Sequence, residues 1–134
     1  MIKEEWKYIE GYEGLYQISS EGRVKSLSKP RRHVSRTHEE TTYLTHEKML
    51  KGSLDSEGYV HVRLKGADGR YQLFKIHTLV AQAFLGYSRE SYVRNDIEHS
   101  LVVIHKNGDN ADNRLENLEV MTLREKFIRK KKNI

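Results

Sequence analysis

Cysteine is absent from the 134 residues. Disulfides, thiolate-bound zinc and cysteine nucleophiles are thereby excluded, and a reducing, intracellular life is the expectation. Proline and tryptophan each occur once, and no low-complexity tract or repeat is visible. No apolar run approaches the roughly 18 residues of a membrane span. The polar opening Met1-Ile2-Lys3-Glu4-Glu5 does not fit a signal peptide. A membrane is therefore not expected among the partners.

Charge is what the chain has in quantity. Asp, Glu, Lys and Arg make up 32% of it, and the mean hydropathy is −0.78. Lys and Arg number 24 against 19 Asp and Glu, a net charge of +5. Such a surplus suits a polyanion, because neutralised phosphates release counterions. The 37% of hydrophobic residues can still form a core, since a chain of this length buries roughly two-thirds of its unfolded surface. One domain or two small modules are expected.

Three stretches differ in texture. In the first, Leu15-Tyr16-Gln17-Ile18-Ser19 and Arg23-Val24-Lys25-Ser26-Leu27 read as strands joined at Ser20-Glu21-Gly22. Val24 then points one way and Arg23 and Lys25 the other, giving a basic face that is either solvated or phosphate-binding. In the second, Lys29 to Arg36 has neither helical nor strand period and reads as a basic loop carrying Arg31, Arg32 and Arg36. Tyr59 to Leu64, including Arg63, alternates cleanly, and Tyr71 to Ile76 pairs back as a hairpin. His77, Val80, Ala81 and Phe84 follow at helical spacing and stop at Gly86. His77 reads as a packed residue at the strand-to-helix joint. In the third, Leu101 to His105 is an apolar strand, Lys106 to Arg114 a polar loop, and Leu115 to Val120 a second strand. Thr122 caps a helix with Glu125 three residues on. The basic tail Arg129 to Lys132 is either solvated or phosphate-seeking.

Strand, loop, strand and helix within about 25 residues form a ββα unit. His105 ends its first strand, and Asn117 lies twelve positions later. A histidine there can take a proton from water as general base. An asparagine can fix the ring through its other nitrogen, and a divalent cation would stabilise the leaving oxygen. A capping histidine and a turn asparagine fit the spacing equally well. Asp109, Asp112 and Asn113 lack the spacing of a calcium loop and read as turn formers.

The segment Val102-Val103-Ile104-His105-Lys106-Asn107-Gly108-Asp109-Asn110-Ala111-Asp112-Asn113-Arg114-Leu115-Glu116-Asn117-Leu118-Glu119 resembles the HNH nuclease motif of phage intron-encoded homing endonucleases. Ile76 to Phe84 is similar to the helix that precedes that motif. Glu5 to Ser19, with Gly22-Arg23-Val24, is similar to the family's N-terminal nuclease-associated module. The resemblance implies an α+β fold: an N-terminal antiparallel sheet region, a linking helix and a C-terminal ββα unit. Residues 1–48 would be the DNA-contacting module, and 49–134 the HNH-like unit with its preceding hairpin and helix. It also implies His105 as general base and Asn117 as the residue that orients it. One divalent metal would be held by the residue before the histidine and by an asparagine or histidine on the last helix.

Those two metal positions fall on Ile104 and Lys126. Isoleucine has no donor atom, an ammonium has no lone pair, and hard cations take oxygen ligands. A helix register one residue off would offer only Glu125. The expectation is a binder of double-stranded DNA on an HNH scaffold, with hydrolysis weakened or lost and no metal held. Arg23, Lys25, Arg31, Arg32, Arg36, Arg63 and Lys126 would contact DNA. The alternatives are an active nickase using Mg²⁺ or Mn²⁺ through other ligands, and a module or inhibitor that turns the same face to a protein partner. Members of the family often carry a further C-terminal DNA-reading domain, so modest sequence specificity is expected.

Overall fold

Short alternating segments cut by glycine turns favour strands over helices, and the computed structural model bears this out. It describes residues 3–93 and 95–132. In chain order come β1 (Trp6–Tyr8), β2 (Tyr16–Ser19), β3 (Val24–Ser26), β4 (Pro30–Val34), β5 (Glu40–Leu44), β6 (Lys48–Met49), β7 (Ser53–Leu54), β8 (Val60–Lys65) and β9 (Tyr71–Lys75). Helix α1 (Ile76–Phe84) follows, then β10 (Leu101–His105), β11 (Leu118–Thr122) and helix α2 (Leu123–Lys132).

Every strand pairing is antiparallel. The front sheet runs in the order β1-β2-β3-β6, the middle sheet β7-β8-β9, and β10 pairs with β11. Apolar positions from all of these converge. Ile18 and Val24 of the front sheet, Val62 and Leu64 of β8, Leu79 and Val80 of α1, and Leu118 of β11 are buried in one cluster. This is the α+β arrangement expected: antiparallel sheets, a helix, then strand, strand and helix. The divide after residue 48 passes through β6, which is hydrogen-bonded to β3.

One reading is corrected. Lys29 to Arg36 is not a loop: residues 30–34 form β4 and pair with β5 from Pro30↔Leu44 to Val34↔Glu40. All ten residues of this ribbon are exposed. With no face toward a core, nothing selects an alternation of apolar and polar side chains, and the usual strand signal is missing. Backbone pairing, and a turn in which Ser35 Oγ accepts from the Glu39 amide at 3.1 Å, hold it instead. Pro30 sits at the first strand position, where its missing donor is tolerated.

Helix ends match the sequence signals. Gly86 takes φ +69° just past α1, the left-handed stop that glycine adopts readily. Thr122 Oγ1 accepts from the Glu125 amide at 3.1 Å, capping α2. The N-terminus of α1 has no side-chain cap. Its buried face, made by Ile76, Leu79, Val80 and Ala81, holds it in place.

Candidate active site and nucleic-acid surface

Residues 106–114 form a loop whose shape follows from its Asn and Asp content. Asn107 Oδ1 accepts from the Asp109 amide at 2.9 Å, and Asp109 Oδ1 from the Ala111 amide at 3.0 Å. These are Asx turns. The Arg114 guanidinium on Asp112 holds that carboxyl well below the usual range, at about 2. Asn117 closes the loop from below. Its Nδ2 donates to Asp112 O at 2.8 Å and to Asn107 Oδ1 at 3.0 Å, and its Oδ1 accepts from the Asn107 amide at 3.1 Å. Its carbonyl accepts from the Lys106 amide at 2.7 Å. Asn117 therefore fixes the backbone on both sides of the loop.

The amide that meets His105 is Asn113. Its Oδ1 lies 2.9 Å from His105 Nε2, while its Nδ2 donates to Ala111 O at 3.4 Å. An amide oxygen only accepts, so Nε2 carries the hydrogen and Nδ1 keeps the lone pair. That tautomer suits a base. The side-chain hydrogen bonds of Asn117 go to Asn107 and Asp112 of the loop, and that of the imidazole goes to Asn113. In the sequence Asn113 reads as a turn former; in the structure it lies five residues before β11 and is 6% exposed.

Three rings pack together at the site. His77, on the first turn of α1, lies 5.0 Å from His105 between centroids, and Tyr59 lies 5.2 Å from His77 and 5.9 Å from His105. Burial pushes the His77 imidazole down to about 4, and the nearby charges of His105, Lys75, His61 and Lys126 push the same way. His77 is thus a packed, neutral ring, as its place at the joint suggested.

The front sheet reaches this site directly. Ser20 O accepts from the Leu115 amide at 2.7 Å. Gly22 has φ +79°, and a Cβ built on it would stand 2.8 Å from the Asn113 carbonyl oxygen. Only glycine satisfies both the turn and the contact.

The donor set does not fit a hard divalent cation. Ile104 offers no donor and Lys126 no lone pair. The carboxylate paired across the ladder from Ile104 is Glu119, and Arg129 holds it at 3.0 Å. Among the described residues, no three His, Asp or Glu side chains converge to hold a metal ion.

The cations expected to contact DNA are spread over several elements. Arg23 is paired with Glu4, and Arg32 with Glu40 across the ribbon. Lys25 lies over the Trp6 ring at 4.3 Å, and Arg63 over Tyr71 at 4.9 Å. Arg31 lines a cleft between the ribbon and the middle sheet, with Lys29, Lys48 and Lys65. Arg36 is exposed in the ribbon's turn, and Lys126 is exposed on α2. Lys29, Lys48 and Lys65 in the cleft, and Lys75 over Tyr59, stand out only in the structure, because nothing in a lone lysine's sequence context reports which face its strand presents. No helix among the described residues is long and apolar enough to cross a membrane.

Comparison with known proteins agrees with this geometry. Residues 4–65 match the model of the NUMOD4 motif, and residues 74–126 that of an HNH endonuclease. The chain is 35% identical over 119 residues to the DNA endonuclease I-HmuI of Bacillus phage SP01, covering 88% of this chain and 52% of that one. It is 38% identical over 123 residues to an uncharacterised HNH endonuclease of Acanthamoeba polyphaga mimivirus, covering 90% of this chain and 24% of that one. The chain thus spans about half of the first relative and a quarter of the second. A solved structure described as DNA binding and cleavage by the HNH homing endonuclease I-HmuI superposes with a TM-score of 0.68 at 30% identity, covering 96% of this chain and 59% of that one. HNH nucleases generally depend on a divalent metal, which sets Ile104 and Lys126 apart. In sequence, in the order of its elements and in fold, the chain resembles phage-type HNH homing endonucleases over nearly its whole length.

Proposed function

We propose that the chain binds double-stranded DNA on the HNH scaffold and that its phosphodiester cleavage is weakened or lost. One observation carries the reading. His105 is held in the tautomer of a base, while the two positions that the family resemblance assigns to a metal's donors, on β10 and α2, carry a hydrocarbon and an ammonium. Lys126, exposed on α2, adds positive charge to the ββα unit. It can grip a phosphate oxygen. It cannot replace the Lewis acidity that polarises one. The exposed ribbon β4–β5 supports the DNA reading, since the major groove admits a two-stranded ribbon, and Arg31 and Arg36 lie along it and in its turn.

A supercoiled-plasmid nicking assay with Mg²⁺ or Mn²⁺ tests this. Binding without nicking is the expected result. Robust nicking that His105→Ala abolishes would overturn the muted reading. It would favour the second one, an active nickase, which the hydrogen bond of His105 Nε2 to Asn113, directing the lone pair to Nδ1, supports.

A further inference from the structure

Most of the described cations differ in what holds them. Arg23, Arg32, Arg70, Arg114, Arg124 and Arg129 each meet a carboxylate, and of these Arg23 also lies over a ring, that of Trp6 at 5.6 Å. Lys7 lies over Phe84 but gives a donor to the Ala83 carbonyl. Lys25, Lys29, Arg63, Lys65 and Lys75 meet none among the described ion pairs and lie over aromatic rings instead. The two kinds of support have different consequences. A carboxylate cancels the charge and occupies the N–H donors. A ring face positions the cation, leaves its charge whole and leaves its donors free.

The ring-held cations are arranged in order. Lys29 lies 4.9 Å over Tyr16, and Arg63 and Lys65 lie 4.9 and 5.8 Å from the Tyr71 centroid. These three, with Arg31 and Lys48, line a cleft of about 530 Å³ that has no Asp or Glu in its lining. From the cleft, β8 leads away. Lys65, Arg63 and His61 alternate along it and share one face, with Tyr71, Leu73 and Lys75 opposite on β9. Asp55, the carboxylate at the far end, is tied to His61 at 2.6 Å. Lys75 then lies 4.5 Å over Tyr59, the ring that also touches His77 and His105.

We infer that the cleft and the outer face of β8–β9 form a phosphate track that carries one backbone of duplex DNA from the β4–β5 ribbon to His105. The inference rests on the DNA-binding reading and extends it. It assigns the grip to lysines of the cleft and middle sheet, and it withdraws it from arginines already satisfied by carboxylates. Contacts of this kind fix register on the duplex without reading sequence.

The test is a titration of the full chain with a fluorescein-labelled mixed-sequence duplex over a KCl series. Lys29→Met, Arg63→Met and Lys65→Met keep the aliphatic stem and remove the charge. Each should lower the slope of log Kd against log salt by about one, and the triple variant by about three. Arg70→Met and Arg124→Met should leave the slope unchanged. Circular dichroism and thermal midpoints identify folded variants, and the single substitutions carry the test should the triple variant not fold. A slope unmoved by the track substitutions, or moved equally by the two controls, overturns the proposal while duplex binding stands. A single strand of the same sequence bound more tightly than the duplex overturns the assignment to duplex. Absence of salt-dependent binding by the unaltered chain removes the DNA reading itself, and the track with it.

Discussion

The surroundings of His105 fall into two halves with different chemistry. On the loop side stand Asn113, Asn117 and their Asx turns, every buried polar atom partnered. On the strand-and-helix side stand Ile104 and Lys126, with Glu119 bound to Arg129. The first half positions an imidazole, and the second would have to feed a metal. The contrast shows that these tasks are physically separable. The loop's hydrogen bonds also hold the fold of the ββα unit, so they persist for stability alone. Donors to a cation contribute nothing to folding in the cation's absence.

The largest effect should come from erasing the contrast. Ile104→Asp with Lys126→Asn supplies oxygen donors, and restored Lewis acidity is worth several kcal/mol of barrier, or about 10²–10³-fold in nicking rate. Plasmid assays with and without EDTA measure it; no gain would mean that the donors are not what the pocket lacks. Dismantling the loop half comes next. Asn117→Ala strips partners from the Asn107 amide and the Asp112 carbonyl and should cost about 3 kcal/mol in urea denaturation. Gly22→Ala reaches the same half from the front sheet. A left-handed alanine and a Cβ 2.8 Å from Asn113 should together cost about 2–3 kcal/mol. His105 ring resonances should shift with it, and an unchanged spectrum would argue that the turn does not brace Asn113.

The smallest effect is a pH dependence. His77 has its folded value lowered from 6.5 to about 4. Between those values the unfolded chain binds the proton and the folded chain does not. Stability therefore rises with pH across that window and is fully present above it, by roughly 2–3 kcal/mol. His77→Phe should flatten urea midpoints there. Asp112, lowered from 3.8 to about 2, acts in a separate window at lower pH, where stability is lost as that carboxylate is protonated. A slope that survives His77→Phe would assign the window to other groups.

Much of the fold was legible because the buried elements advertise themselves. Val60 to Leu64 alternates since Val62 and Leu64 face the core and His61 and Arg63 do not. Thr122 and Gly86 act where their chemistry suits them. The ribbon β4–β5 was illegible for the complementary reason: strands with no buried side chain leave no period. In the site, His105 and Asn117 stand out by spacing. Asn113, Tyr59 and His77 do not, because they are brought together by the packing of the β2–β3 turn, the middle sheet and α1 onto the loop. The pairing of cations with rings or carboxylates is likewise invisible until register is known.

The seam where Ser20 and Gly22 meet Leu115 and Asn113 bears on how such proteins can be recombined. A nuclease unit transplanted without this turn would lose a backbone partner for Leu115 and leave a gap behind Asn113. Transplanted onto a host bearing any side chain at the glycine position, it would collide. The two halves of the chain must therefore travel as a matched pair, and chimaeras cut between them should inherit a slack imidazole unless the turn is carried along.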